Sequence, residues 1–125
     1  MHLYSLGKEE RLCSQKSIGL LFSEGKSFFV YPFKVVYLKS PLPVSVQAAF
    51  TVSKKTFKPA VIRNLIKRRM REAYRLNKIP LYEILNSKDE QLLVMFIYTA
   101  KEVKDYAVIE KGIKKAIAQL VNSSK

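Results

Sequence analysis

The sequence predicts a single small α+β domain, in which one mainly antiparallel sheet packs with three helices. Residues 33–38 and Val46–Val52 are rich in β-branched and aromatic residues, and residues 91–98 are almost wholly apolar. Three other segments carry apolar residues at helical spacing. The order helix, strand, strand, helix, strand, helix within 125 residues fits one layer of sheet covered by helices.

The first predicted helix begins after a cap at Ser14 and ends near Glu24. Ile18, Leu21 and Phe22 recur at spacings of three and four residues, which places them near one another on the helix. Gly25 follows, at the position where a glycine C-cap is common.

Three strands are predicted. Residues 33–38 (FKVVYL) form the first, and the turn SPLP at 40–43 leads to Val46–Val52. Because this connection is short, we expect the second strand to lie antiparallel to the first. Residues 91–98 (QLLVMFIY) have the continuous apolar pattern of a strand buried on both faces.

Two further helices are predicted. Pro59 is expected in the first turn of a helix that runs to about Asn77 and is ended by Pro80, with 81–85 adding one helical turn. Asp105 is the expected cap of the last helix. The apolar stripe of that helix is Tyr106, Ile109, Ile113, Ala116, Ile117 and Leu120. The ends, 1–13 and 122–125, are expected to be mobile.

The most informative part of the chain is residues 63–75 (RNLIKRRMREAYR), which hold six cations and one acid, Glu72. On a helix, the apolar side is formed by Ile62, Ile66, Met70 and Ala73. The cationic side is formed by Arg63, Asn64, Lys67, Arg68, Arg71 and Arg75, with Arg69 at the margin. Glu72 is expected to pair with Arg68. Such a helix offers a row of charges to successive phosphates.

The overall charge also favours a polyanionic partner. The chain has 23 Lys and Arg against 10 Asp and Glu, a net charge of +13. A folded domain with this imbalance repels itself unless an anion screens it. Clustering of the cations on one helix face favours nucleic acid over an acidic membrane surface. Ser53, Lys54 and Lys55 stand just before the helix and extend the same cationic track.

The sequence lacks the residue patterns of an enzyme site. The only histidine is His2, no Cys and His spacing suggests zinc, and no glycine-rich loop suggests a nucleotide phosphate site. Acids that are adjacent, such as Glu9 and Glu10, point apart and make poor catalytic pairs. We therefore expect no catalytic residue, no metal site and no small-molecule substrate in the protein itself.

A cytoplasmic location without membrane contact is expected. The longest apolar runs are too short to cross a bilayer, and the N-terminal residues lack the apolar core and cleavage site of a secretory signal. The single cysteine, Cys13, cannot form an internal disulfide, which fits a reducing compartment.

Aromatic residues near the basic helix offer stacking faces for unpaired bases. Phe22 lies on the first helix, and Tyr37 and Phe50 lie on strands. An aromatic residue on a strand is more often part of the core. Burial is favoured for Phe50, whereas stacking and burial are equally open for Tyr37.

Residues 53–75 resemble the signature of the protein subunit of bacterial ribonuclease P, a lysine-rich loop followed by a helix of the pattern AV-x-RN-x-x-KR-x-x-RE-AF-R. The matching residues here are Ser53-Lys54-Lys55, Ala60-Val61, Arg63-Asn64, Lys67-Arg68 and Arg71-Glu72-Ala73-Tyr74-Arg75. Weaker matches cover most of the chain, at Ile18, Phe22, Gly25, Val35, Tyr37 and residues 91–100.

The resemblance implies a protein that assists a catalytic RNA. In that family the RNA subunit holds Mg²⁺ and cuts precursor tRNA, while the protein binds no cofactor, contacts the RNA and holds the single-stranded 5′ leader. By residue match, the RNA-binding residues are Arg63, Asn64, Lys67, Arg68, Arg69, Arg71, Arg75, Lys54 and Lys55. The leader cleft is matched to Ile18, Phe22, Val35, Tyr37 and Ser53. A left-handed βαβ crossover is also implied, against the general preference.

The chain departs from the family pattern at three places. Leu65 stands where many members have an arginine-type residue, and Ile18 stands where many have phenylalanine. The loop between Lys55 and Ala60 is one residue longer than in many members and lacks their glycine.

Three other functions fit the basic helix. A structural or ribosomal-type RNA-binding protein without a role in cleavage has the same charge and fold class. A DNA-binding module would lay the basic helix in a major groove. A membrane-surface helix fits least well, because the core needs the apolar side of this helix.

Overall fold

A computed structural model describes residues 7–12 and 14–124 of the protein. The helices within this part are α1 (Gln15–Glu24), α2 (Ala60–Asn77), α3 (Ile79–Ser87) and α4 (Tyr106–Ser124), preceded by a 3₁₀ turn at Lys8–Glu10. The strands are β1 (Lys26–Val30), β2 (Phe33–Lys39), β3 (Val46–Val52) and β4 (Leu92–Tyr98). The α+β prediction is confirmed, with β1 and a full helix α3 added to the predicted elements.

The four strands form one mixed sheet in the order β1-β2-β4-β3. β1 with β2 and β2 with β4 are antiparallel, whereas β3 with β4 is parallel. The expected antiparallel direction of β3 relative to β2 is confirmed, although the two strands are not direct neighbours in the sheet. The apolar strand β4 lies between them, where both of its faces can be buried. The left-handed sense of the β3–α2–α3–β4 crossover stays a prediction.

Successive strand residues point to opposite faces of the sheet, so the domain has two cores. The larger core lies on the face covered by α2 and α4 and includes Phe33, Val35, Phe50, Val94 and Phe96. The smaller core lies on the face covered by α1, where Leu21 packs with Val36, Leu93 and Met95. The prediction that Phe50 is a core residue is confirmed.

The predicted first helix is confirmed, but its terminal glycine acts differently from the expectation. The Ser14 hydroxyl accepts a hydrogen bond of 3.3 Å from the Ser17 N–H. Gly25 has φ −71° and is not in the left-handed region. Glycine is required there for space, because a Cβ atom would collide with the Leu21 carbonyl and lie 3.1 Å from the Tyr37 carbonyl.

The later helices also depart in detail from the expected bounds. Pro59 is the N-cap of α2 and not part of its first turn. Helix α2 ends before Pro80 as expected, yet Pro80 lies in the first turn of α3, since a residue without an N–H is tolerated there. The Val108 N–H donates to the Asp105 carboxylate at 3.1 Å, which confirms the cap of α4. This helix continues through 122–124, part of the C-terminal end that was expected to be mobile.

The N-terminal segment 7–12 is attached to the sheet, contrary to the mobile end expected there. The Leu12 N–H donates to the Ala48 carbonyl at 2.9 Å, and the Gln47 amide donates to the Glu9 carbonyl at 3.1 Å. These bonds cover the outer edge of β3, while the Leu12 side chain is buried beneath α1. Residues 1–6, 13 and 125, which include His2 and Cys13, lie outside the described part.

A buried ion pair fixes this segment to the junction of α2 and α3. Lys78 is 2% exposed, and its ammonium donates to Glu10 Oε1 at 2.7 Å. The Tyr82 hydroxyl donates to the same oxygen at 2.5 Å and lies 3.2 Å from the Tyr74 hydroxyl. Burial raises the pKa values of Tyr74 and Tyr82 far above the ordinary range, so both phenols stay protonated.

The carboxyl group of Glu10 is charged at neutral pH, because its pKa in the folded protein is lowered. Burial alone would raise the pKa of its carboxyl group, but hydrogen bonds from Lys78, Tyr82 and the Gly7 N–H together lower this pKa below its usual value. A group whose pKa is lowered by folding adds stability above its unfolded pKa. That stability is lost as the pH falls through the folded pKa.

We expect Glu10→Gln to lower the free energy of unfolding by about 3 kcal/mol at neutral pH, since the Lys78 ammonium then loses its buried carboxylate. The deficit should begin to shrink as the pH falls below the ordinary glutamate pKa, because the unfolded wild-type chain then binds a proton at Glu10, and it should be smallest below the lower folded pKa, where the folded carboxyl is protonated as well. Urea denaturation across an acid pH series measures both effects. Glu102→Gln is the control, because Glu102 pairs with Lys104 in an exposed position. A deficit that is independent of pH would contradict the ion-pair explanation.

Candidate nucleic-acid interface

Helix α2 is amphipathic in the sense that the sequence predicts. Its inward side chains, Ile66, Met70, Ala73 and Tyr74, are buried in the larger core, and Ile62 packs against them. Four polar side chains lie on its outward side. Asn64, Arg68 and Arg71 are exposed and Lys67 is half-buried. Because neighbours three or four residues apart are about 5–6 Å apart along a helix, these four form a continuous row.

This row, which we call the α2 cationic row, consists of Asn64, Lys67, Arg68 and Arg71. Its three cations form no ion pair within residues 7–12 and 14–124. Glu72 forms its salt bridge with Arg75, so the expected pair of Glu72 with Arg68 is wrong. The two Glu72 oxygens face two nitrogens of the Arg75 guanidinium, a fork-to-fork geometry that favours this pair. The α2 cationic row therefore keeps its charge for an external anion.

Two arginines of the predicted RNA-binding set bind their own chain. Arg63 Nη1 donates to the carbonyls of Phe57 and Lys58 at 2.8 and 2.6 Å. Arg69 Nη1 donates to the Lys104 carbonyl at 2.7 Å, which places it at the margin of the apolar side as expected. These bonds tie α2 to the loops on either side of it.

The lysine-rich loop lies beside the first turn of α2. Lys54 and Lys55 are exposed, so they can extend the α2 cationic row. Ser53 is exposed too, and its hydroxyl accepts a 3.3 Å hydrogen bond from the Thr56 N–H. The buried ring of Phe57 packs near Tyr98 and anchors the loop to the larger core. The Arg63 bonds hold the same loop from the helix side.

The residues matched to a leader cleft do not all lie together. Ile18 packs on the smaller core and Phe22 is 57% exposed on α1. Val35 is fully buried on the opposite face of the sheet, in the larger core. Tyr37 is half-buried on that same face and packs edge-on against Phe28, with ring centroids 5.8 Å apart. The structure therefore places Val35 and Tyr37 on the face of the sheet opposite Ile18 and Phe22, contrary to the matched cleft, and the Tyr37 ring packs against Phe28.

The strand residues that face α1 are one position away from those matched. They are Lys34, Val36 and Leu38 of β2, because a shift of one residue moves every side chain of a strand to the other face. The alternation of side chains along a strand predicts that Lys34 and Val36 lie on the same face of the sheet. Which of the two faces meets α1 is set by tertiary packing.

Helix α1 covers only part of its face of the sheet. The row formed by Val36 and Met95 is buried beneath it. The next row runs across all four strands, and we call it the open row. It consists of Phe29, Lys34, Ile97 and Thr51, which are successive partners in the strand ladders. Phe29 and Lys34 are exposed, and Ile97 and Thr51 are half-buried. Phe22 of α1 is exposed on the same side of the sheet, and we call the surface formed by Phe22 and the open row the cleft.

The described part of the chain contains no cluster of three His, Cys, Asp or Glu side chains that could hold a metal ion. None of its helices is both long enough and apolar enough to cross a membrane.

Comparison with known proteins places this architecture in one family. The family model named Ribonuclease P matches residues 6–121. The ribonuclease P protein component of Porphyromonas gingivalis strain W83 is 37% identical over 122 residues, covering 96% of this chain and 89% of the relative. The protein component from Chlorobium phaeobacteroides is 33% identical over 127 residues, covering 92% and 87% of the two chains.

Two experimental structures have a similar fold. The ribonuclease P protein of Staphylococcus aureus superposes with a TM-score of 0.71 at 23% identity, covering 92% of this chain and all of the other. The protein from Thermotoga maritima gives a TM-score of 0.71 at 24% identity, covering 88% and 96%. At this sequence identity the structural similarity shows the fold alone. Membership of the family rests on the family model and on the two relatives above. The chain belongs to the ribonuclease P protein family, the protein subunits of the ribonucleoprotein that processes the 5′ ends of tRNAs.

Proposed function

We propose that the protein binds the catalytic RNA subunit of ribonuclease P through the α2 cationic row and holds the 5′ leader of precursor tRNA in the cleft beside α1. The observation that carries this proposal is the α2 cationic row itself, whose charges are not used within the described part of the chain. Arginine and lysine side chains spaced along a rigid helix suit the successive phosphates of an RNA backbone.

In this proposal the protein supplies electrostatics and positioning while the RNA performs the cleavage. Cations held near two negatively charged RNAs reduce their repulsion, so fewer Mg²⁺ ions are needed for the RNAs to associate. The Mg²⁺ that takes part in cleavage is held by the RNA subunit. The protein itself works in the cytoplasm without a bound cofactor.

The cleft is suited to a single strand. Exposed aromatic rings stack on unpaired bases irrespective of base identity. Phe22 provides such a ring on α1, and Lys34 provides a cation on the floor of the cleft. Lys54, Lys55 and Ser53 lie at the end of β3, where the strand leads toward α2. A leader held here connects the cleft to the RNA bound by α2.

A structural RNA-binding protein without a role in cleavage is the second candidate. The same α2 cationic row would serve it, so RNA affinity alone does not separate the two functions. A change in the processing of precursor tRNA separates the two functions.

Replacing Lys67 and Arg68 together by alanine is expected to abolish protein-dependent cleavage without unfolding the domain. The assay mixes the protein with a bacterial ribonuclease P RNA and a precursor tRNA, at magnesium too low for the RNA alone. Wild-type protein should restore correct 5′ cleavage, and the double variant should not. Its melting temperature should stay near that of wild type, since neither side chain bonds within the described part of the chain. Arg63→Ala is the contrast, expected to lose stability as well as activity.

If wild-type protein binds the RNA and leaves cleavage unchanged, the structural RNA-binding function is the correct one. If the double variant melts much earlier but cleaves normally, the α2 cationic row does not face RNA.

Affinity for the RNA subunit should fall steeply with salt. Each phosphate neutralised contributes about 0.7–0.9 to the slope of log affinity against log salt concentration. The Lys67→Ala, Arg68→Ala double variant should therefore show a slope smaller by about 1.4–1.8. Filter binding at a series of potassium concentrations measures the slope. An unchanged slope in the variant would place the phosphate contacts elsewhere.

Phe22→Ala is expected to weaken binding of leader-bearing precursor by about 1–3 kcal/mol, the loss typical of one stacked base. Binding of mature tRNA, which has no leader, should not change. Leu20→Ala is the matched control, because Leu20 is a partly exposed apolar residue about 200° around the same helix. Equal losses for precursor and mature tRNA would argue against a leader contact at Phe22.

A further inference from the structure

The open row ends in an exposed aromatic ring at the β1 edge of the sheet. Phe29 is 62% exposed and is the direct ladder partner of Lys34. Paired residues on neighbouring strands point to the same face, so Phe29 lies on the α1 side of the sheet. Its neighbour Phe28 points to the other side, where it packs against Tyr37.

Phe29 belongs to neither hydrophobic core, although it borders a shallow concavity that Val108 and Lys111 of α4 also line. Its ring makes no aromatic contact within the described part of the chain. A phenylalanine usually buries most of a large apolar surface, and Phe28 already supplies that burial for β1. The next residue along the row is the exposed cation Lys34. An aromatic face beside a cation is the combination that binds unpaired nucleotides.

The dimensions of the sheet place Phe29 at the far end of a path from α2. The open row crosses from Thr51 on β3 to Phe29 on β1, which is three strand spacings or about 14 Å. Stacked nucleotides in one strand advance about 3.4 Å each. A leader that enters the row at β3 therefore reaches Phe29 after about four nucleotides.

We propose that Phe29 is a second base-stacking platform, which holds a leader nucleotide about four positions beyond the β3 end of the open row, with Lys34 contacting an adjoining phosphate. The proposal rests on the proposed function and extends it. Because an aromatic face stacks on every base, this contact selects leaders by length and not by sequence.

The test compares precursor affinity for leaders of increasing length, using the holoenzyme reconstituted with wild-type protein or with Phe29→Leu. Leucine keeps an apolar side chain and removes the ring. We expect about five-fold or more weaker binding of leaders of about eight nucleotides, and no change for leaders of about two. Phe29→Tyr should restore the affinity. Tyr31→Leu is the matched control, since Tyr31 is an exposed aromatic residue of the β1–β2 turn.

The outcomes separate the two proposals. If wild-type protein gives longer leaders tighter binding and Phe29→Leu does so equally, Phe29 is not a platform and the proposed function stands. If wild-type protein itself gives no gain with leader length, the leader-binding function fails. An equal loss at every length, or a self-associated wild-type protein that Phe29→Leu makes monomeric, would also overturn the proposal and assign Phe29 to the RNA subunit or to a protein contact.

Discussion

The structure depends on the burial of β4 on both faces at the centre of the sheet. Its alternate residues enter different cores, Val94 and Phe96 beneath α2 and α4, Leu93 and Met95 beneath α1. This arrangement requires a helical layer on each side of the sheet. The layer formed by α1 alone is smaller than the layer formed by α2 and α4. Helix α1 has only 10 residues and leaves one row of the sheet uncovered. The cleft is thus a consequence of a short helix placed over a four-stranded sheet.

The other surface comes from the opposite layer. Helix α2 buries Ile66, Met70 and Tyr74 in the larger core and presents Arg68 and Arg71 outward. Core packing therefore holds the cations rigidly, without using their charge. Arg63 and Arg69 differ from them because their guanidinium groups bond to neighbouring loops. The cations of this helix thus divide between those that form no ion pair within the described residues and those that support the shape of the surface.

Much of the fold could be predicted because its signals are local. The amphipathic pattern of α2, the cap at Asp105 and the apolar run of β4 each depend on residues within one or two turns. The short edge strand β1 was missed because only part of it is apolar and only one side is paired. The N-terminal segment was expected to be mobile, since nothing near Glu10 in the sequence indicates its partners Lys78 and Tyr82.

The sequence by itself determined the basic helix, which of its sides is apolar, and the family to which the chain is similar. The tertiary structure decided which side chains of β2 meet α1, so that Lys34 lies in the cleft and Val36 lies beneath α1, whereas Val35 and Tyr37 face the larger core. It also decided the position of β4 between β2 and β3, and with it the open row. The physical reason is that helical periodicity arises among near neighbours, whereas strand order and the face a strand presents arise from contacts between distant segments.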